Sequence, residues 1–168
     1  MSNAKYAEIL EQSSVPKKVW KTALYLRLSR DDGTESESNS IASQREILKE
    51  YIKRYPDMEI YDIYVDDGYS GTNFDRPDFN RMMDDIYAHK VNCVLVKDLS
   101  RFSRNHTEGG IYLDKIFVKL GVRFIAINNQ IDIGIRGINS FNDLVKVGVT
   151  NIMNESLAAN TSVNVRGT

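Results

Sequence analysis

Four short apolar runs, separated by stretches with helical spacing, organise the middle of the chain. The first run occupies 22–28 and carries Ala23, Leu24, Tyr25 and Leu26. A polar, acidic segment from Arg30 to Asn39 contains Gly33, shows no periodicity and reads as a loop. Asn39 or Ser40 then offers an N-cap, and Ile41, Leu48, Tyr51, Ile52 and Tyr55 recur at helical spacing up to Pro56-Asp57. Ile60 to Val65 alternates as a strand does and ends at Asp66-Asp67-Gly68. The loop Tyr69 to Arg76 leads into Pro77, which suits a first helical turn, and Phe79, Met82, Met83 and Ile86 form an inner stripe after it. The third run, 91–97, is apolar almost throughout, the mark of a strand buried on both faces of a parallel sheet. A helix follows over 107–120, with Ile111, Ile116, Phe117 and Leu120 inward and Gly121 as its stop. Val122 to Ile127 gives the fourth strand.

This order of strands and helices predicts an α/β fold, a central and mostly parallel sheet of four to five strands flanked by helices and joined by right-handed crossovers. The two ends read differently. Met1-Ser2-Asn3-Ala4 looks like a cloning remnant, and 5–18 like a polar extension with one short helix before Pro16. Towards the other end, Phe141, Leu144, Val145, Ile152, Met153 and Leu157 mark one face of a helix from 139 onwards. It would be roughly 40 Å long at 1.5 Å per residue, a length that suits packing on a symmetry mate as well as on its own sheet.

Composition narrows the choices. The chain has 168 residues, of which 42% are hydrophobic, enough for one domain with its own core. A net charge of −1 is low for a complete DNA-binding protein, so either nucleic acid is not the partner or the main gripping parts lie outside this chain. The single cysteine, Cys93, excludes a disulfide within the chain and reads as a core thiol. With two histidines and that one cysteine far apart, no metal-site spacing exists. No secretory signal precedes the domain, and no apolar stretch approaches the roughly 20 residues that span a bilayer, so a soluble cytoplasmic protein with no membrane partner is expected.

The chemistry gathers at the ends of the runs. Arg27 and Ser29 follow the first, Gln44 lies on the next helix, Arg76 follows the second strand, and Arg101 and Arg104 follow the third within Asp98-Leu99-Ser100-Arg101-Phe102-Ser103-Arg104-Asn105. Each piece alone is a commonplace of loops. Together they fall on one edge of a parallel sheet, beyond the carboxyl ends of its strands, where such folds bind ligands. Arginines offer forked donors to phosphate oxygens and keep their charge, and several of them around a hydroxyl repel one another unless an anion sits among them. In-line phosphoryl transfer needs a nucleophile and stabilisation of the equatorial oxygens, which arginines supply without a metal.

These residues resemble the catalytic domain of the serine recombinases, the resolvase/invertase family, and in particular its large transposon- and phage-integrase-type members. The matching segments are Tyr25 to Ser29, Ser40 to Gln44, Ser70 to Pro77, Asp98 to Asn105 and Gly121 to Ile127, in family order and spacing. The resemblance implies a catalytic domain over 19–138 and, over 139–168, a long helix leading towards DNA-binding domains that this chain does not contain. It implies that Ser29 attacks a DNA phosphodiester and forms a 5′-phosphoserine link. Arg27, Arg76, Arg101 and Arg104 would bind the scissile phosphate, Gln44 would help position it, and Ser100 stands where small resolvases carry aspartate. Double-stranded DNA would be the partner of a homodimer that pairs into a tetramer, cuts, rotates and rejoins, with neither ATP, metal nor other cofactor. Ser103 stands where glycine is common, and a Cβ there narrows the permitted dihedrals. Ala159, Val163 and Asn164 stand where lysine or arginine is usual, and about three lost phosphate contacts weaken DNA affinity.

A rival reading follows from that eroded basic face: an impaired or truncated homologue serving as an assembly or DNA-architecture module. A nucleotide-binding protein is disfavoured, because no Gly-x-Gly-x-x-Gly or Walker loop follows the first strand. Tyr25 and Trp20 read as packing, His89 and His106 as surface residues, and Asp66 and Asp67 as a strand-end cap or turn rather than a metal site.

Overall fold

A computed structural model of the chain describes residues 18–29 and 40–134. The extension 5–17, the loop 30–39, the helix expected from 139 and the positions Ala159, Val163 and Asn164 lie outside the described residues. Five strands form one sheet in the order β2-β1-β3-β4-β5. They are β1 (Trp20–Leu28), β2 (Met58–Asp67), β3 (Cys93–Val96), β4 (Arg123–Ala126) and β5 (Ile131–Ile133). The first four run parallel and β5 pairs antiparallel to β4. This is the mostly parallel α/β sheet expected from the apolar runs.

Alternation along the central strands sorts side chains between two layers. Ala23, Tyr25, Val94, Val96 and Phe124 face one layer, with Phe79, Met82, Met83 and Ile86 of α2 (Pro77–Tyr87) packed on them. Leu24, Leu26, Cys93, Leu95 and Ile125 face the other, against Leu48 and Ile52 of α1 (Ile41–Lys53). Both faces are covered, so β1 is buried from Thr22 to Arg27, whereas the edge strand β2 leaves Ile60 and Tyr61 exposed. Burial pushes the Cys93 thiol up to about 12, as suits a core thiol. Trp20 packs as expected, with the Arg123 guanidinium 5.1 Å from its ring centre.

Local signals set the helix ends. Ser40 caps α1 by accepting from the Ser43 N–H at 3.1 Å. Proline opens α2 at its first position. Gly121 ends the helical stretch before β4 with φ +68°, the left-handed conformation that glycine tolerates best.

Three features differ from the sequence pattern. Residues 98–105 hold a short helix, α3 (Leu99–Phe102), where a loop is expected. The inward placement of Ile111 is corrected: it is 42% exposed. The helical stretch is built from α4 (His106–Ile111), a π-helical segment (Tyr112–Ile116) and α5 (Phe117–Leu120). A π turn takes up one residue more than an α turn, so the phase shifts and Leu113 points inward with Phe117. The third difference is β5 itself, too short to announce itself as an apolar run. Among the described residues no helix is long and apolar enough to cross a membrane.

Candidate active site

β1 and β3 are parallel neighbours, with Leu24 opposite Leu95, so their carboxyl ends share one edge of the sheet. On the other side of β1, Arg27 lies opposite Asp66 and Leu28 opposite Asp67 of β2. Ser29 follows directly and is 6% exposed. The Gly68 N–H donates to the Leu28 carbonyl at 2.7 Å, which fixes the backbone just before the serine.

Two side chains converge on the backbone of Arg27, two residues before Ser29. Gln44, fully buried on the inner face of α1, donates through Nε2 to the Arg27 carbonyl at 3.1 Å and accepts the Arg27 N–H at 3.3 Å. Arg101 donates through Nη1 to the same carbonyl at 3.1 Å. The Arg27 guanidinium reaches back across the edge to the turn that carries Arg101. Its Nε donates to the Arg101 carbonyl at 3.1 Å, Nη2 to the Ser100 carbonyl at 2.7 Å and Nη1 to the Tyr69 carbonyl at 2.9 Å. Arg27 and the α3 turn therefore hold one another in place.

Arg76 enters the same turn from beneath. Its Nη2 donates to the Phe102 carbonyl at 2.8 Å and its Nη1 to the Tyr25 hydroxyl at 2.9 Å, with the Arg101 carbonyl at 3.4 Å. The Tyr25 hydroxyl donates onward to Asp66 Oδ2 at 2.8 Å. Asp66 also accepts the Asp78 and Phe79 N–H groups at 3.0 and 2.9 Å, capping the start of α2. Phe74 and Phe79 lie 4.6 and 4.7 Å from the Arg76 guanidinium, which sits over their ring faces.

Arg104 is tied to the loop after β2, its N–H donating to the Gly71 carbonyl at 2.7 Å. A Cβ on Gly71 would stand 2.6 Å from Arg27 Nη2 and 3.0 Å from Arg104 Cγ, so only glycine lets this loop close over both arginines. The Ser100 hydroxyl donates to Asp98, whose Oδ1 also lies 3.5 Å from Arg101 Nε. Ser103 is extended (φ −152°), so its Cβ brings no backbone strain. Its hydroxyl accepts the Asn105 N–H at 3.0 Å, and the side chain packs against Gly109, where an added Cβ would come within 2.9 Å.

The structure thus brings Arg27, Gln44, Arg76, Ser100, Arg101 and Arg104 around one turn beside the end of β1. Arg27 and Arg76 are fully buried, and burial lowers the pKa of Arg76 because its immediate partners are neutral oxygens. Burial also raises the Tyr25 phenol well above its ordinary range, so it stays protonated. Asp66 acts as the strand-end cap that its position suggests. The sequence pattern misses four contributors: the Tyr69 carbonyl, Gly71, Asp98 and the Tyr25–Asp66 pair. Gly71 is foreshadowed by Ser70-Gly71-Thr72, but a backbone carbonyl leaves no trace in the sequence.

The family described as resolvase, N-terminal domain, matches residues 22–163. The N-terminal catalytic domain of TP901-1 integrase is similar at 28% identity and a TM-score of 0.65, covering 84% of this chain and 98% of that one. A resolvase family site-specific recombinase from Streptococcus pneumoniae is similar at 31% identity and a TM-score of 0.57, covering 87% and 95%. The C-terminal catalytic domain of ISC1926 TnpA, an IS607-like serine recombinase, shares the fold at 19% identity and a TM-score of 0.53, covering 79% of each chain. No curated protein sequence gives a significant match.

Proposed function

From the premise that the chain belongs to the resolvase family of serine recombinase catalytic domains, we propose that it cuts and rejoins DNA through a covalent bond to Ser29. The observation that carries the reading is the convergence of Gln44 and the Arg101 guanidinium on the Arg27 backbone, two residues before a serine held at the sheet edge.

In this reading the Ser29 Oγ attacks the phosphorus of a phosphodiester and gives up its proton. The bond from phosphorus to the 3′ oxygen breaks, and that oxygen leaves as a protonated 3′-hydroxyl. The 5′ strand stays esterified to Ser29. Reversal by another 3′-hydroxyl rejoins the strand, and the ester conserves the bond, so neither ATP nor a metal is called for. Arg27, Arg76, Arg101 and Arg104 contact the phosphate, and Gln44 helps to position it. A phosphate oxygen carries a full negative charge and accepts the forked guanidinium donors in pairs, a stronger contact than those donors make to neutral carbonyls, so the anion outcompetes the carbonyls that Arg27 and Arg101 now engage. Ser100 tunes the turn through Asp98, and Arg76 supports it from below. The region 19–138 acts as the catalytic domain, and 139–168 as the arm towards DNA-binding domains. Double-stranded DNA is the substrate, held by a dimer that pairs into a tetramer.

The test uses the full chain fused to an unrelated zinc-finger array, with duplexes carrying two array sites around a nicked, randomised crossover. The expected result is a denaturant-stable protein–DNA adduct that Ser29→Ala abolishes. Absence of an adduct from the folded fusion overturns this reading in favour of an assembly or DNA-architecture module.

A further inference from the structure

We infer that Asn129, in the turn between β4 and β5, is a positioning residue for the arginine turn; this inference rests on the catalytic reading above. α3 is a single helical turn, too short to hold its shape by its own local bonds. Its first N–H groups need partners from elsewhere. Asp98 stands at the N-cap, yet its side chain makes no cap hydrogen bond and engages the Ser100 hydroxyl and Arg101 instead. The acceptor comes from 30 residues away: Asn129 Oδ1 takes the N–H of Leu99 at 2.6 Å. Asn129 is half-buried, whereas its neighbours Asn128 and Gln130 are exposed.

The turn that carries Asn129 is itself fixed through its backbone. The Ile127 and Asn128 N–H groups donate to the Val96 and Lys97 carbonyls at 3.1 and 2.8 Å, and the Gln130 N–H closes the turn on the Ile127 carbonyl at 3.0 Å. Gln130 takes φ +54°, a left-handed conformation that residues other than glycine disfavour, so tertiary ties rather than local preference hold this shape. The result braces α3 from two sides. Arg27 and Arg76 reach it from the side of β1 and β2, through the carbonyls of Ser100, Arg101 and Phe102. Asn129 reaches it from the side of β4, through the N–H of Leu99, the residue just before Ser100. Leu99 is buried, so water does not readily replace a lost acceptor. Without the cap the start of α3 frays, and the Ser100 and Arg101 carbonyls that orient the Arg27 guanidinium shift with it.

Asn129→Ala in the zinc-finger fusion removes the acceptor, and Asn129→Asp restores an oxygen at the same place. Single-turnover adduct formation at saturating DNA separates positioning from stability. Lost stability alone lowers the amplitude, through the folded fraction, and leaves the rate constant unchanged. The expected result is a rate constant about 5- to 30-fold lower in Asn129→Ala, the equivalent of one lost helix cap, and recovered in Asn129→Asp. The half-saturating DNA concentration, set by the zinc fingers, should stay unchanged. Asn129→Ser, whose hydroxyl stops one bond short of Leu99, should slow the reaction in the same way and serves if Asn129→Ala folds poorly. Ile131→Val, in β5, destabilises the core beneath the turn and should alter only the amplitude. Exchange of the Leu99 amide hydrogen, read by NMR, reports the cap without catalysis and should quicken in Asn129→Ala relative to the amides of β3. An unchanged rate constant in both Asn129→Ala and Asn129→Ser, no recovery in Asn129→Asp, or unchanged exchange at Leu99 overturns the inference. No adduct from the parent fusion instead overturns the catalytic reading on which it rests.

Discussion

Gly71→Ala places one methyl group at the centre of the proposed phosphate clamp. The new Cβ would lie 2.6 Å from Arg27 Nη2, 2.9 Å from Arg27 Cζ and 3.0 Å from Arg104 Cγ. Gly71 has no left-handed φ to protect, so the whole cost is steric. A contact with the end of a long side chain is usually relieved by a small rotation. Here the guanidinium is fully buried and fixed by three carbonyls. Retreat from 2.6 Å to an ordinary separation stretches the 2.7 Å bond from Nη2 to Ser100 beyond hydrogen-bonding range. Hydrogen bonds to charged groups are worth about 1.5–3 kcal/mol, or about 10- to 100-fold in rate if the lost bond is needed in the transition state. Overpacking should also destabilise the fold by about 1–3 kcal/mol. Single-turnover adduct formation reads the first effect and thermal denaturation the second. An alanine variant with the parent rate constant would show that Arg27 need not hold its place, and would refute the clamp as drawn.

Further outcomes follow from neighbouring details. Gly109→Ala should cost about 1–3 kcal/mol, because its Cβ meets Ser103 Cβ at 2.9 Å, and the double variant with Ser103→Gly should recover most of that in chemical denaturation. Gly121→Ala meets no atom within 4 Å and should lose about 1–2 kcal/mol purely from the left-handed backbone at φ +68°. Burial raises the Asp114 carboxyl above its ordinary pKa, so its ionisation opposes folding as pH rises through the raised value. Asp114→Asn should therefore raise the thermal midpoint at neutral pH, with the gain vanishing once the pH falls below the ordinary carboxyl value. Cys93, its thiol pushed up to about 12 inside the sheet, should resist alkylation at pH 8 until denaturant unfolds the chain, as mass spectrometry of the treated protein would register.

Much of this architecture is legible in the sequence because its causes are local. The apolar run at 93–96 makes a buried strand, Ser40 and Pro77 mark helix starts, and Gly121 marks a stop. The arginines and Gln44 are legible as a group because parallel strands deliver their carboxyl ends to one edge. What the sequence hides depends on register between distant segments. The Tyr25–Asp66 bond joins residues 41 apart and the Arg76–Tyr25 bond residues 51 apart, and both follow from the β1–β2 pairing, which no periodicity displays. Ile111 misleads for a different reason. Apolar spacing assumes a constant 3.6-residue turn, and the π segment breaks that phase within the helix. Gly71 carries its meaning in an absent side chain, visible only once Arg27 is packed against it.

The central claim concerns one bond, between the oxygen of Ser29 and a DNA 5′-phosphate. Its most direct test is mass spectrometry of the adduct formed on a crossover whose leaving 3′ oxygen is replaced by sulfur, which slows religation and lets the intermediate accumulate. After nuclease and protease digestion, the account predicts a nucleotide mass on the peptide containing Ser29, linked through its 5′-phosphate, in metal-free buffer. A nucleotide on any other residue, a 3′-phosphate linkage, or cleavage that proceeds with no adduct and only with added divalent metal would contradict it.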